Sequence, residues 1–251
     1  MFAHLSSFFR SRKILPRMIL GAIGAVAALA IIKVVETRAE ELPPGGVDAA
    51  LHSLSPDLFG VLSQSFAPEY EVFKTAVARD IQIGGDLRTT TTRTLMALRT
   101  QYSPHIAQAD DASLAALATN MMDYYQAIND IEGPDVCARY VTEGPVAFAG
   151  TDIETRHSQG AMTHLATMLQ TARNGLDHPV TRRAATDAEW QAVASKSLTL
   201  GATAEGFSAM AQGIADPGVC PSLVAFLEAT QGDEAAALVR AEILTLLATG
   251  E

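Results

Sequence analysis

Apolar positions run unbroken from Met18 to Val35, eighteen residues interrupted only by Lys33. At a rise of about 1.5 Å per residue a helix of that length reaches roughly 27 Å, close to the roughly 30 Å hydrocarbon core of a bilayer. The pattern predicts a membrane-spanning signal-anchor helix over residues 18–35. Arg10, Arg12, Lys13 and Arg17 precede it, while Glu36, Glu40 and Glu41 follow, relieved only by Arg38. Basic residues stay on the cytoplasmic side, so 1–17 reads as a cytoplasmic tail and the rest of the chain as outside. Lys33, near the outer end, can extend its ammonium toward the headgroups. The competing reading is a cleaved signal, because Ala28-Leu29-Ala30 resembles a cleavage site. Ile31, Ile32, Val34 and Val35 continue past that site and favour the uncleaved anchor. A buried soluble helix is the third option. Gly21, Ala25 and Ala28 make a small-residue stripe at helical spacing, which would let two membrane helices pair; small residues are also simply common in such spans.

Beyond it, residues 36–47 read as a linker, since Pro43, Pro44, Gly45 and Gly46 cannot continue a helix. From residue 48 onward the pattern is helical. Ser55 and Pro56 predict a helix start, and a second follows Pro68 with Tyr70, Phe73, Val77 and Ile81 on one side. Gly84 and Gly85 end it. Another helix from near Asp86 keeps Leu95, Leu98 and Tyr102 in register until Ser103 and Pro104. Between Asp111 and Ile131 the stripe Leu114, Leu117, Met121, Tyr124, Ile128, Ile131 is amphipathic throughout. Thr151 with Glu154, and Thr186 with Glu189, fit the capping box. The first predicts a helix to about Arg173, stopped by Asn174 and Gly175. The second predicts one long helix carrying Trp190, Val193, Leu198 and Phe207, weakened at Gly201 and Gly206, where a kink or close crossing is expected. Asp233 opens the last helix.

Strand-like alternation is nearly absent and aromatics are only 6% of the 251 residues, a composition suited to closely packed helices. The expected fold class is all-α: a single transmembrane helix, then a bundle-like extracytoplasmic domain of seven to nine helices over 48–251, divisible into similar halves at 48–150 and 151–251. Charge narrows the partners. None of the 28 acidic residues and five of the 18 basic ones lie in the first 35, so residues 36–251 carry thirteen basic side chains and a net charge of −15. Such a surface excludes nucleic acid and disfavours anionic lipid.

The two cysteines sit in matching contexts. Ile131, Pro134, Val136 and Cys137 coincide with Ile214, Pro217, Val219 and Cys220 at an offset of 83, and Leu117, Tyr124 and Val141 meet Leu200, Phe207 and Val224. This reads as a duplicated unit or as convergence of two helical turns on proline. An even cysteine count in an oxidising compartment predicts a Cys137–Cys220 disulfide. It would close a loop of about 80 residues, which the chain-entropy model values at roughly 4 kcal/mol. The alternative is two reduced, buried cysteines.

Candidate chemistry is sparse. His157 and His164 share a helix face with Glu154 one turn earlier, and with His105 or His178 they suggest a small-ligand, metal or haem site; two histidines seven apart on a helix also arise by chance. Arg88, Arg93 and Arg99 with the neighbouring threonines suggest an anion site, or more simply a solvated face. Asp110, Asp111 and Asp130 read as caps. The apolar run 144–150, with Pro145, Val146 and Phe148, is expected either to be buried or to form a contact surface. No nucleophile elbow, phosphate loop, dinucleotide fingerprint or zinc-protease motif is present, and no cofactor is implied. The expected function is therefore a non-catalytic accessory subunit of an envelope assembly, anchored in a bacterial inner membrane with its domain in the periplasm and bound to a protein partner; a homodimer through the anchor is an option the small-residue stripe leaves open. The alternatives are a small-ligand module around His157 and His164, or an envelope hydrolase using His157, Glu154 and Asp123.

Overall fold

A computed structural model describes residues 46–85, 87–232 and 234–249, apart from the side chains of Arg88, Pro145 and Val146. The described residues form eleven α-helices and two 3-10 segments, with no strand among them. The all-α expectation holds, and the membrane part of the expected fold class does not. No helix among the described residues is long and apolar enough to cross a membrane. Residues 18–35, with Gly21, Ala25 and Ala28, lie outside the described residues. The expected linker also ends sooner than residue 47, because a helix begins at Gly46, whose φ of 66° glycine tolerates.

The described chain divides into two compact units interleaved along the sequence: residues 46–101 with 145–170, and residues 102–144 with 171–249. The expected halves, 48–150 and 151–251, are contiguous instead.

The first unit starts with α1 (Gly46–Leu54), α2 (Pro56–Ser65) and α3 (Ala67–Ile83). Ser55 caps α2 by accepting from the Leu58 N–H, and prolines stand in the first turns of α2 and α3, where no intrahelical donor is needed. Phe59, Tyr70 and Phe73 are buried together, the Phe59 and Phe73 rings stacked at 6.0 Å. The Tyr70 hydroxyl donates to Asp48 at 2.9 Å, so the ring is buried while its polar tip stays satisfied. Gly84, with φ 64°, ends α3 in the left-handed conformation that glycine alone adopts freely. α4 (Leu87–Tyr102) follows, and the apolar loop 145–148 leads into α7 (Asp152–Asp177), which contributes its residues up to 170 to this unit.

The second unit contains the 3-10 segment Ser103–Gln108, α5 (Asp111–Glu132), α6 (Pro134–Thr142), the end of α7, α8 (Asp187–Thr199), α9 (Ala204–Gln212), α10 (Val219–Ala229) and α11 (Glu234–Thr249). Asp110 caps α5 through Ser113 N–H at 2.7 Å, and those backbone donors hold its carboxyl below the usual range. Asn174 clamps the same residue, accepting from Asp110 N–H at 2.8 Å and donating to its carboxylate at 3.0 Å. The expected stop at Asn174 and Gly175 does not occur. α7 runs on to Asp177, and Gly175 serves close packing instead: a Cβ there would meet the His105 carbonyl and lie 2.8 Å from the Ala109 nitrogen.

The helix expected after Thr186 is divided in two. Thr186 and Glu189 form the complete capping box of α8, but the chain breaks at Gly201, with φ 107°, before Thr203 caps α9. Gly206 then lets α9 cross α10 closely, since a Cβ would run into the Gly218 carbonyl and the Ser222 hydroxyl. The core here is Trp190, Phe207 and Phe226, with Phe226 stacked on Trp190 and edge-on to Phe207, each at 5.9 Å.

Candidate functional site

The candidate histidines, carboxylates, cysteines and arginines all fall in one of the two units, the side chain of Arg88 lying outside what is described. Glu154, His157 and His164 lie one or two turns apart on α7 in the first unit, at 1, 5 and 3% exposure. They share a buried polar stripe, though not an open site. Glu154 accepts from the Gly150 N–H, one residue before the Thr151 cap, so the predicted capping box reaches back one residue further than expected. From α4, Arg99 is buried at 2% exposure and its charge acts on His164. Burial first, and then Arg99, hold the His164 imidazole down to about 4, which keeps it neutral at physiological pH. Among the described residues no group of three or more His, Cys, Asp or Glu side chains is placed to hold a metal ion. His105 and His178 belong to the second unit, as does Asp123, which is exposed. The hydrolase trio is thus two buried groups on α7 and one solvated carboxylate of the other unit.

The arginine cluster also separates. Arg93 is exposed, whereas Arg99 shares the buried face of α4 with Thr91, Leu95 and Leu98. Phe148, at 3% exposure, is a core side chain, while the side chains of Pro145 and Val146 lie outside what is described. Asp130 accepts from Gln126 at 2.7 Å and does not cap a helix.

Cys137, in the first turn of α6, and Cys220, in that of α10, meet at disulfide distance with Cα atoms 5.8 Å apart, inside the usual range for a bridge. Both are fully buried, and both sulfurs lie beside the Tyr125 carbonyl oxygen, at 3.2 and 3.7 Å. Neither cysteine is free. The matched positions around them have matching exposure in part. Ile131 and Ile214 are both exposed and Tyr124 and Phe207 both buried, but Leu117 is buried where Leu200 is 39% exposed.

The cavity that the sequence did not point to lies in the second unit. Residues 178–186 join α7 to α8 without regular secondary structure, and 179–184 with Ala107, Gln108 and one face of α11 line a cleft of about 410 Å³. That volume falls in the range of small-ligand sites, about 300–1,000 Å³. The Val180 N–H donates to the Gln108 carbonyl at 2.8 Å and pins the joining segment. Arg182 donates to the Ala107 carbonyl at 3.2 Å and to Asp111 at 2.8 Å. Arg183 forks onto Glu189 and also reaches the Ala184 carbonyl at 3.1 Å; its guanidinium, with the Thr186 backbone, holds the Glu189 carboxyl down to about 2. Glu242 on α11 accepts from Ala185 N–H at 2.6 Å and from the Trp190 indole at 3.1 Å. Behind it, buried Arg240 donates to the Thr230 carbonyl at 3.0 Å and the Asp111 carbonyl at 3.4 Å.

Chemically the cleft offers guanidinium donors and aliphatic walls, from Val180, Leu238 and Ala241 among others, and neither a thiol nor an imidazole lines it. Its one carboxylate has both oxygens engaged. The sequence signal was present but local: His178, Pro179, Arg182 and Arg183 occupy a long polar join between two helices, where a proline bars helix and an arginine pair marks an exposed surface. Compared with protein-family models, with curated proteins and with solved structures, the chain matches none.

Proposed function

We propose that this chain is a non-catalytic recognition protein of an oxidising, extracytoplasmic compartment, acting as an accessory subunit to a protein partner of the cell envelope. The cleft of the second unit carries this reading. It has the size of a binding site, yet its ionisable groups are committed to holding the fold: Arg182 to Asp111, Arg183 to Glu189, Glu242 to Ala185 and Trp190. Acid–base or nucleophilic catalysis needs a group poised to exchange a proton or attack, and groups locked in this way favour binding. The buried cysteine pair supports the compartment, because such bridges persist where thiols are not kept reduced.

The test is a photo-crosslinking residue placed at Val180, on the cleft wall, in the full chain in intact cells, with a second at Val72, exposed on the first unit. The reading expects one discrete adduct from position 180 and none from 72. Indistinguishable adducts from both positions, or none from either, would contradict it. So would hydrolysis of envelope material by the purified chain that disappears in the His157→Gln or Glu154→Gln variant.

A further inference from the structure

We propose that the cleft binds one carboxylate carried on an aliphatic body, gripped by Arg182 and Arg183; this rests on the recognition reading above and names its ligand class. A guanidinium has five N–H donors in a fixed fork matched to carboxylate geometry. Arg182 spends one on the Ala107 carbonyl and one on Asp111, and Arg183 bonds Ala184 and Glu189. Both line the cleft with donors left over. The bonds they do make hold the forks in position, so a ligand need not order them on binding.

Charge sets the class. The charged side chains that line the cleft are Arg182, Arg183 and Glu242, an excess of one positive charge at the lining, with the two arginines paired to Asp111 and Glu189. One added negative charge matches that excess and the spare donors, whereas a phosphate dianion exceeds it and faces the Glu242 carboxylate. Beside Gln108 and Thr181, the rest of the lining is aliphatic, with Pro179 and Val180 on the joining segment and Leu238 and Ala241 on α11 among it. Covering those surfaces favours a hydrocarbon body next to the anionic head.

Two sources carry this chemistry, a free aliphatic acid and the C-terminus of a peptide, and calorimetric titration of the full chain distinguishes them. The probes are octanoate, a pentapeptide ending in leucine with a free carboxylate, the amide of each, and octyl phosphate. The expected result is saturable binding of at least one carboxylate, with each amide and octyl phosphate at least about tenfold weaker, since a lost charged hydrogen bond carries that much. The tighter carboxylate identifies the source. Arg183→Ala and Arg182→Lys should each weaken it at least about tenfold, while Arg139→Ala, which removes an exposed pair with Glu143, leaves it unchanged. Arg183 is 59% exposed, and a thermal melt of each variant separates loss of fold from loss of binding. Failure of both carboxylates to bind, amides binding as well as acids, or cleft variants binding like the parent would overturn the inference. A discrete adduct from position 180 without carboxylate binding would overturn it alone and leave the recognition reading standing.

Discussion

Acidification should loosen the first unit through a single imidazole. His164 is 3% exposed on α7, held neutral by burial and by the neighbouring Arg99 charge, with its titration lowered from the ordinary 6.5 to about 4. An unfolded chain takes up that proton near 6.5 and the folded one only near 4, so stability is fully present above 6.5 and declines as pH falls through the interval. Each unit of difference corresponds to about 1.4 kcal/mol, so the full effect is about 3 kcal/mol, of which about 2 is lost by pH 5. Ordinary carboxylates titrate at about 4, below most of the window from 7.5 to 5, and the His164→Gln variant separates this imidazole from the other buried groups of α7, Glu154 and His157. The chain has two compact units, so the assay must be local: hydrogen exchange of the α4 and α7 amides at the two pH values, corrected for intrinsic rates. The parent should lose about 2 kcal/mol of protection there and His164→Gln most of that dependence. Equal pH dependence in the two proteins would refute the assigned burial and the contact with Arg99.

Three further outcomes test the packing. Gly206→Ala should cost about 1–3 kcal/mol by thermal or urea unfolding, because backbone of the α10 N-terminus stands where the methyl must go. Gly60→Ala, in the middle of α2 with nothing within 4 Å of the new methyl, should instead stabilise by about 0.5–1 kcal/mol in the same experiment. Glu242→Ala leaves the Ala185 N–H and the Trp190 indole without their acceptor and should cost about 1–3 kcal/mol; the sole tryptophan's emission should shift to longer wavelength as water reaches the ring.

Helix positions were legible wherever the pattern was local. The Ser55 cap, the prolines of α2 and α3, the glycine end of α3, the long stripe of α5 and the capping box of α8 each state a helix boundary in three or four residues. What required three dimensions was less visible. Gly175 reads as a helix stop but is a crossing point, because only the fold brings His105 against it. Arg99 reads as surface charge, yet it follows Leu95 and Leu98 around α4 into the interior. The cysteine pair was legible from the 83-residue offset and even count, and each cysteine stands in the first turn of a helix. The cleft was illegible as a whole. Its walls come from residues near 107, 180 and 240, and no short motif joins positions so far apart. The interleaving of the two units has the same origin, since α7 serves both and periodicity reports faces, not partners.

The account depends most on Cys137 and Cys220 being joined in the cell. Full-length protein trapped from its native host by acid quench, alkylated without reductant and digested for mass spectrometry, reads this directly. The account predicts a linked Cys137–Cys220 peptide pair, with neither cysteine alkylated until reductant is added. Both cysteines carrying the alkyl label before reduction would contradict the bridge, the oxidising compartment and the exported recognition role that follows from them.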